Sequence, residues 1–380
     1  MHSNPFTDEE LNQRLKKTKT LMETNNLDLI ILSAPENIFY LTGLDHWGYF
    51  APTVLIVSLN DSPVLITREM ERVVIRNQVR NANFMGHSDT ETAADVVEKY
   101  LQGKTSGKSI GIEEWSSGLS YGMGFQIKKQ VESSEWKNIT GLLDNMKLVK
   151  SVAEQEFMRA AAHAADAGTE AAIAAIHDGA LEADVAAECL AAMTRAGSTP
   201  PGFGPFLRPA HRMAEEHTSW GDGKHSEAVF LEVAGCVSRY NAPMGRLVNI
   251  GHISDEDEEM SKICIDSFNS TLNALKVGAR AREVYQGWQS VVDSAGMQHY
   301  RRHHCGYLVG IGFPPSWTGG PKVTGLRHDS DLEMEEGMTF HLMSWFTETG
   351  RGNYFISNTV LLGPSGAEVL NKCSYGPHVK

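Results

Sequence analysis

The sequence predicts an α/β fold in two unequal domains, residues 1–147 and residues 148–380. In the first part, short apolar runs of strand length alternate with helical segments, as expected of an α/β domain. Near residue 150 the composition changes to an alanine-rich helical segment, and the remaining chain has the order helix, helix, strands twice. A chain of 380 residues is long enough for two domains with buried cores.

The elements of the first domain follow from apolar spacing and turn residues. Thr7 begins a T-D-E-E run typical of a helix start, so a helix is predicted over residues 11–25. A second helix is predicted over residues 92–101. Short apolar runs predict strands over residues 27–33, 53–58, 64–67 and 109–112.

The second domain is predicted to combine long helices with strands. Ser151 is followed three residues later by Glu154, a pattern typical of a capped helix, which is predicted over residues 151–174. Further helices are predicted over residues 181–196, 256–275 and 281–295. Strands are predicted over residues 228–237, 246–250, 307–311, 338–346 and 354–362.

Composition and charge narrow the class of protein. The net charge of −13 argues against nucleic acid or an anionic membrane as partner, because both require clustered Lys and Arg. The five cysteines include no C-x-x-C pair, so neither a disulfide framework nor a structural zinc site is expected. The polar N-terminus and the lack of a long apolar run predict a soluble, cytoplasmic protein with reduced thiols.

Residues able to carry chemistry concentrate in two stretches. The sequence has no P-loop, H-E-x-x-H, G-x-S-x-G or dinucleotide-binding G-x-G-x-x-G motif. Histidine, aromatic and charged residues cluster instead over 201–240 and over 300–317. Glu232 interrupts the apolar run AVFLEVAG, and a buried carboxylate is costly unless it is paired. Glu232 is therefore predicted to be a site carboxylate with a pKa set by burial and neighbours.

Several segments, taken in chain order, resemble the creatinase/prolidase family. PENIFYLTG (35–43) is similar to its N-terminal strand and turn, and MKLVKSVAEQEFMRAAAHAAD (146–166) to its linker helix. The central and C-terminal segments of the family are matched by EEHTSW (215–220), FLEVAGCVSRYNAPMGRLV (230–248), HHCGYLVGIGFPP (303–315), EEGMTFHLM (335–343) and NYFISNTVLL (353–362). The resemblance implies a small creatinase-like α/β domain followed by a pita-bread catalytic domain.

The departures from the family pattern concern the metal ligands. Metallopeptidases of the family bind two metal ions through two Asp, one His and two Glu. The matching positions here are Glu232, Pro243, Tyr307, Met343 and Ser357. Because Pro and Met cannot supply the oxygen or nitrogen ligands that such ions need, the resemblance implies no metal and no cofactor.

Within the family, the chain most resembles the metal-free branch, ectoine hydrolase first and creatinase second. That resemblance implies hydrolysis of a non-peptide C–N bond in a small zwitterionic nitrogen compound, such as opening of a cyclic amidine. Four alternatives stay open: a creatinase-like amidinohydrolase, a lyase acting on an osmolyte such as dimethylsulfoniopropionate, an Xaa-Pro metallopeptidase, and a non-catalytic binding protein.

The residues suggest roles for such a reaction. His217 is the predicted base, because histidine exchanges protons near neutral pH. Glu232 is predicted to attack the electrophilic carbon or to steer water, Tyr307 to donate a hydrogen bond to developing charge, and His303 to orient or shuttle protons. The predicted substrate-binding residues are Arg246 and Arg208 for a carboxylate, Trp47, Tyr49 and Trp220 as an aromatic wall, and Tyr240, His304 and His341.

The family resemblance also implies a homodimer. In this family the N-terminal domain of one subunit commonly borders the site of the other, which would place residues 45–50 at the subunit interface.

Overall fold

In the computed structural model, which describes residues 3–131, 133, 135–320 and 322–380, the chain divides into two compact units, Met1–Lys147 and Leu148–Lys380. The helices of the N-terminal unit are α1 (Asp8–Thr24), α2 (Pro35–Thr42), α3 (Arg72–Gln78), α4 (Ala93–Leu101), α5 (Tyr121–Gln130) and α6 (Asp144–Leu148), the last ending one residue beyond the unit. Its strands are β1 (Leu29–Leu32), β2 (Val54–Ser58), β3 (Val64–Arg68), β4 (Asn83–His87), β5 (Ser109–Ile112) and β6 (Glu135–Asn138).

The N-terminal strands form a mixed sheet. Among the described residues the order is β4-β3-β2-β1-β5-β6, with β1 antiparallel to β2 and parallel to β5. Apolar side chains of the strands, such as Ile56 and Ile110, pack with Val97 of α4 and Ile127 of α5 into one buried core. The predicted α/β character of this part is confirmed.

The segment 35–43 differs from its prediction, because it is helical and not a strand and turn. Pro35 occupies the first turn of α2, where its missing N–H leaves no bond unmade. Gly43 ends the helix in the left-handed conformation, with φ of 73°. All eight residues of α2 are buried, so no polar face reveals the helical period in the sequence.

The C-terminal unit contains four long helices and eight strands within the described residues. The helices are α7 (Val152–Ala175), α8 (Glu182–Arg195), α9 (Asp255–Ala274) and α10 (Ala281–Ser294). The strands are β7 (Phe206–Pro209), β8 (Val229–Val237), β9 (Tyr240–Asn249), β10 (Gly306–Leu308), β11 (Thr339–Phe346), β12 (Tyr354–Gly363), β13 (Gly366–Val369) and β14 (His378–Val379).

These strands form one sheet with the main order β10-β11-β12-β9-β8-β7 in the described chain. The predicted helices agree with α7 to α10 within one or two residues, and Ser151 and Glu154 form the expected capping box. Strand β9 begins six residues earlier than predicted, and β10 is shorter than predicted. No helix in the described ranges is long and apolar enough to cross a membrane.

The two faces of this sheet have different surroundings. Leu231 and Val233 on one face pack with Ala165 of α7 and Cys189 of α8 in a buried core. Helix α7 approaches so closely that a Cβ at Gly235 would lie 2.0 Å from the carbonyl oxygen of Ala161. Because side chains alternate along a strand, Glu232 projects from the opposite face.

One row of residues crosses that opposite face. Glu232 on β8 lies beside Gly245 on β9, which lies beside Ser357 on β12, which in turn lies beside Met343 on β11. Directly opposed residues in antiparallel strands share a face, so this row lines one surface. Phe206 on β7 extends the row beyond Glu232.

Candidate active site

A cavity of about 440 Å³ lies on this face, within the C-terminal unit. Six of the predicted site residues line it: His217, Glu232, His303, Tyr307, Arg208 and His304. Strands β7, β8, β10 and β11 supply part of the lining, and the loops before β7, before β8 and around β10 supply the rest.

Glu232 is the buried carboxyl group of the cavity. Only 6% of the residue is exposed, and its Oε1 has no hydrogen-bond partner among the described residues. Burial raises the pKa of Glu232 to about 8, although the nearby positive charge of Arg208 acts in the other direction. The carboxyl group is therefore protonated at neutral pH until another positive charge approaches.

A buried chain of polar side chains leads to Glu232. Trp317 Nε1 donates to Tyr307 Oη at 2.9 Å, and Tyr307 Oη lies 2.9 Å from His341 Nδ1. Burial lowers the pKa of His341 to about 3, so its ring is neutral. If the single Tyr307 hydroxyl proton is donated to Nδ1, the ring carries its own proton on Nε2, which lies 3.6 Å from Glu232 Oε1.

This arrangement corrects the expected role of His341. Its side chain is fully buried, and it contacts Tyr307 and Glu232 instead of the cavity space. The distance of 3.6 Å to Glu232 is too long for a hydrogen bond, and Nε2 has no other partner among the described residues. His341 is thus placed to contact Glu232, not a substrate.

His217 lies in a turn that Arg208 holds in place. The backbone of His217 is left-handed, with φ of 60°, an unusual conformation for a residue other than glycine. Arg208 donates to the carbonyl oxygens of Arg212, Met213 and Thr218, on both sides of His217, at 3.0, 3.1 and 2.7 Å. These bonds fix the loop, so Arg208 has a structural task in addition to lining the cavity.

Two histidines stand side by side at the cavity. The rings of His303 and His304 are 4.1 Å apart, and the ring of His304 meets that of Tyr307 edge to face at 5.3 Å. Burial lowers the pKa of His304 to about 3 and, together with Arg302, lowers the pKa of His303. Both rings are therefore neutral near pH 7, and Nδ1 of His304 has no partner among the described residues.

The prediction that Arg246 binds a substrate carboxylate is wrong. Its guanidinium group is fully buried and donates to the carbonyl oxygens of Gly245, Ser357, Cys373 and Ser374 and to Asn358 Oδ1. These five bonds use all five N–H groups of the side chain. Arg246 therefore joins β9, β12 and the C-terminal segment.

Tyr240 and Trp220 also lie outside the cavity. Tyr240 is fully buried and donates its hydroxyl to Glu154 Oε1 at 2.5 Å, which ties β9 to the first turn of α7. Trp220 is more than one-third exposed and lies against the backbone of Gly204. Neither side chain lines the cavity. The expected role of Tyr240 is thus corrected to a structural one, whereas a substrate contact of Trp220 stays a prediction.

Trp47 and Tyr49 belong to the N-terminal unit. Trp47 is 60% exposed, and the Tyr49 hydroxyl donates to the carbonyl oxygen of Leu44 at 3.1 Å. Their contact with a substrate stays a prediction.

The cavity has an aromatic wall that the sequence did not reveal. Its members are Phe203, Phe206, Trp317 and Trp345. The ring of Phe203 lies 4.8 Å from that of Trp317 and 5.9 Å from that of His217. Trp345 follows His341 and Met343 at the two-residue spacing of one strand face, which was the available signal.

The cross-strand row does not provide a dimetal site. Of the five positions that hold metal ligands in the peptidases, only Glu232 has a carboxylate, and Gly245 and Ser357 separate it from Met343. The described ranges contain no group of three His, Cys, Asp or Glu placed to hold a metal ion. The residues present therefore do not fit a pair of metal ions.

The fold is that of the pita-bread hydrolases. The family model described as metallopeptidase family M24 matches residues 156–364, and that of the creatinase/prolidase N-terminal domain matches residues 14–149. The chain belongs to metallopeptidase family M24, which confirms the resemblance drawn from the sequence and the predicted domain types.

The similarity to individual relatives covers nearly the whole chain. An ectoine hydrolase from Halomonas elongata is 25% identical over 392 residues, 96% of each chain. An Xaa-Pro dipeptidase from Pyrococcus horikoshii is 24% identical over 366 residues, 95% of this chain and 97% of the relative. The crystal structure of the prolidase from Pyrococcus horikoshii OT3 matches with a TM-score of 0.83 and 23% identity, over 96% of this chain and 99% of that one.

Proposed function

We propose that the protein is a metal-independent hydrolase of a non-peptide C–N bond in a small zwitterionic nitrogen compound, opening a cyclic amidine as an ectoine hydrolase does. The observation that carries the proposal is Glu232, a buried carboxyl group that faces the cavity and whose Oε1 has no hydrogen-bond partner among the described residues. The similarity to an ectoine hydrolase over 96% of the chain supports it.

A cationic amidine suits the surroundings of Glu232. Its positive charge lowers the pKa of a neighbouring carboxyl group, so substrate binding itself would ionise Glu232. The flat, delocalised cation can lie against the aromatic wall of Phe203, Phe206 and Trp317. Binding and activation of the carboxylate are then one event.

The chemical step adds water across the amidine carbon and breaks one C–N bond. Ionised Glu232 orients the water, and His217 accepts the water proton and returns it to the leaving nitrogen. If Glu232 instead attacks the carbon, His217 passes the proton that Glu232 released to the leaving nitrogen, and water then cleaves the new bond between Glu232 and the carbon with His217 as base. Tyr307, which already accepts from Trp317, donates toward the charge that develops on the substrate or toward His341.

His341 acts through Glu232 in this scheme. When Glu232 ionises, the Nε2–H of His341 has an acceptor, and a shift of less than 1 Å from the present 3.6 Å would close the hydrogen bond. That bond favours the carboxylate form, so it lowers the pKa of Glu232 during turnover.

Replacement of His341 tests this step. In His341→Leu, the acidic limb of the pH profile of kcat, which reports the enzyme–substrate complex, should move to higher pH by about one unit, because a hydrogen bond to a carboxylate is lost. His341→Gln, whose amide can replace the Nε2–H donor, should show a smaller shift. An unchanged acidic limb in the Leu variant would contradict the role of His341.

A second candidate function is cleavage of Xaa-Pro dipeptides. It is favoured by the similarity to an Xaa-Pro dipeptidase, which covers 95% of the chain, against 96% for the similarity to the ectoine hydrolase. Against it stand the positions that hold metal ligands in the peptidases, because Pro243, Met343 and Ser357 stand where those enzymes have carboxylates.

One measurement separates the two candidates. The purified protein is analysed for bound metal and then assayed with and without chelator on ectoine, creatine and an Xaa-Pro dipeptide. We expect turnover of the cyclic amidine that the chelator leaves unchanged. Stoichiometric metal together with chelator-sensitive dipeptide cleavage would refute the proposal.

A further inference from the structure

Resting on the proposed function, we infer that Arg302 binds the carboxylate of the substrate and selects carboxylated amidines over neutral-tailed ones. Three arginines line the cavity: Arg208, Arg302 and Arg327. The three differ in what their guanidinium groups already bind.

Two of these arginines are poorly suited to a substrate carboxylate. Arg208 is 1% exposed, and three of its five N–H groups already donate hydrogen bonds to the loop around His217. Arg327 has half of its side chain exposed and donates Nε to Asp329 at 2.8 Å, so its charge is both solvated and paired.

Arg302 lies in a more favourable position. Its guanidinium carbon is 4.7 Å from the ring centre of Trp345, another residue of the cavity lining. Stacking on an indole holds the guanidinium plane and leaves its N–H edge open for two parallel bonds to a carboxylate. Only 17% of the side chain is exposed, so water weakens such a pair little.

Arg302 has two present side-chain contacts, a hydrogen bond with the Tyr300 hydroxyl and a weak ion pair with Glu216. The Nη2 of Arg302 lies 3.8 Å from Glu216 Oε1, beyond hydrogen-bond distance, and the Glu216 side chain is half exposed. A substrate carboxylate can replace the contact with Glu216 without leaving a buried charge unpaired, because the freed Glu216 side chain stays solvated. The adjacent His303 and His304 are neutral and do not oppose an anion.

The cavity therefore carries one acidic and one basic anchor. Glu232 meets the amidine cation, and Arg302 meets the carboxylate of the same molecule. A zwitterion is thereby oriented with its reactive carbon toward Glu232 and its carboxylate toward Arg302. The substrate class follows: small cyclic amidines that carry a carboxylate.

The test compares ectoine with methyl-tetrahydropyrimidine, the same cyclic amidine without the carboxylate. In Arg302→Gln the KM for ectoine should rise roughly 10- to 100-fold, whereas kcat/KM for the ring alone should stay as in the wild type. The KM of Arg302→Lys for ectoine should lie between those of the wild type and Arg302→Gln, because lysine gives one hydrogen bond instead of a planar pair. Arg301→Gln is the matched control, since Arg301 bonds Asp293 and lies outside the cavity.

Calorimetric titration of ectoine into each protein gives a readout that needs no turnover. Weaker binding in Arg302→Gln but not in Arg301→Gln supports the inference, even if the wild type fails to hydrolyse ectoine, which would overturn the proposed function alone. Equal affinity in both variants and the wild type overturns the role of Arg302. No binding of ectoine by the wild type overturns both.

Discussion

Glu232→Gln should lose turnover by on the order of 10³-fold or more while the protein stays folded. Glutamine matches the size of the side chain but can neither ionise nor attack the amidine carbon. The measurement is kcat on the substrate identified by the chelator assay. Glu227→Gln, a carboxylate two residues before the same strand and outside the cavity, should retain wild-type activity.

The same substitution should increase stability at alkaline pH. The pKa of Glu232 is raised from 4.5 to about 8 in the folded protein. Between these values the unfolded chain releases a proton that the folded protein keeps, so the free energy of unfolding falls as pH rises through this window. Glu232→Gln has no titrating group at this position, so its free energy of unfolding does not fall for this reason.

At pH 9 the free energy of unfolding of Glu232→Gln should therefore exceed that of the wild type by a few kcal/mol, because each unit by which the pKa is raised contributes about 1.4 kcal/mol. Near pH 4 the two free energies should differ little. Urea unfolding at both pH values measures the difference. An active Glu232→Gln protein, or a stability difference independent of pH, would show that Glu232 is not the buried site carboxylate described above.

Arg246→Met should lower the free energy of unfolding by about 3–5 kcal/mol without changing KM. The substitution leaves four backbone carbonyl oxygens and Asn358 Oδ1 without the donors that now satisfy them. Unfolding in urea gives the free energy, and the assay at a temperature where the variant is folded gives KM.

Arg282→Met serves as the control for this loss. Arg282 lies on α10 with about half of its side chain exposed, and its ion pair with Asp331 is solvated, so less than about 1 kcal/mol should be lost. If Arg246→Met kept wild-type stability and raised KM, the original prediction of a substrate-binding Arg246 would be restored.

Local signals in the sequence were sufficient for most helices and for the burial of Glu232. Ser151 and Glu154 specify the start of α7 by a pattern contained in four residues. The carboxylate within an apolar strand is likewise visible locally. The prediction of a strand and turn over residues 35–43 was wrong, because complete burial removes the polar face from which a helix is recognised.

The incorrect site predictions have a common physical cause. The partners of Arg246 include Ser357 and Ser374, more than a hundred residues away in sequence, so no local pattern separates a structural arginine from a substrate-binding one. Arg302 and Trp345 meet only through the fold. Side-chain type predicts which residues could bind a substrate. Long-range contacts decide which of those residues have donor or acceptor groups that the fold does not already use.

The bonds from Arg208 to the loop around His217 bear on the kinetics of binding. Because three hydrogen bonds donated from within the chain hold that loop, its ordering entropy is lost during folding and not at substrate association. The cavity is thus preorganised for binding on the side of His217. Ligand association should follow a single exponential phase, with an observed rate that rises linearly with ligand concentration.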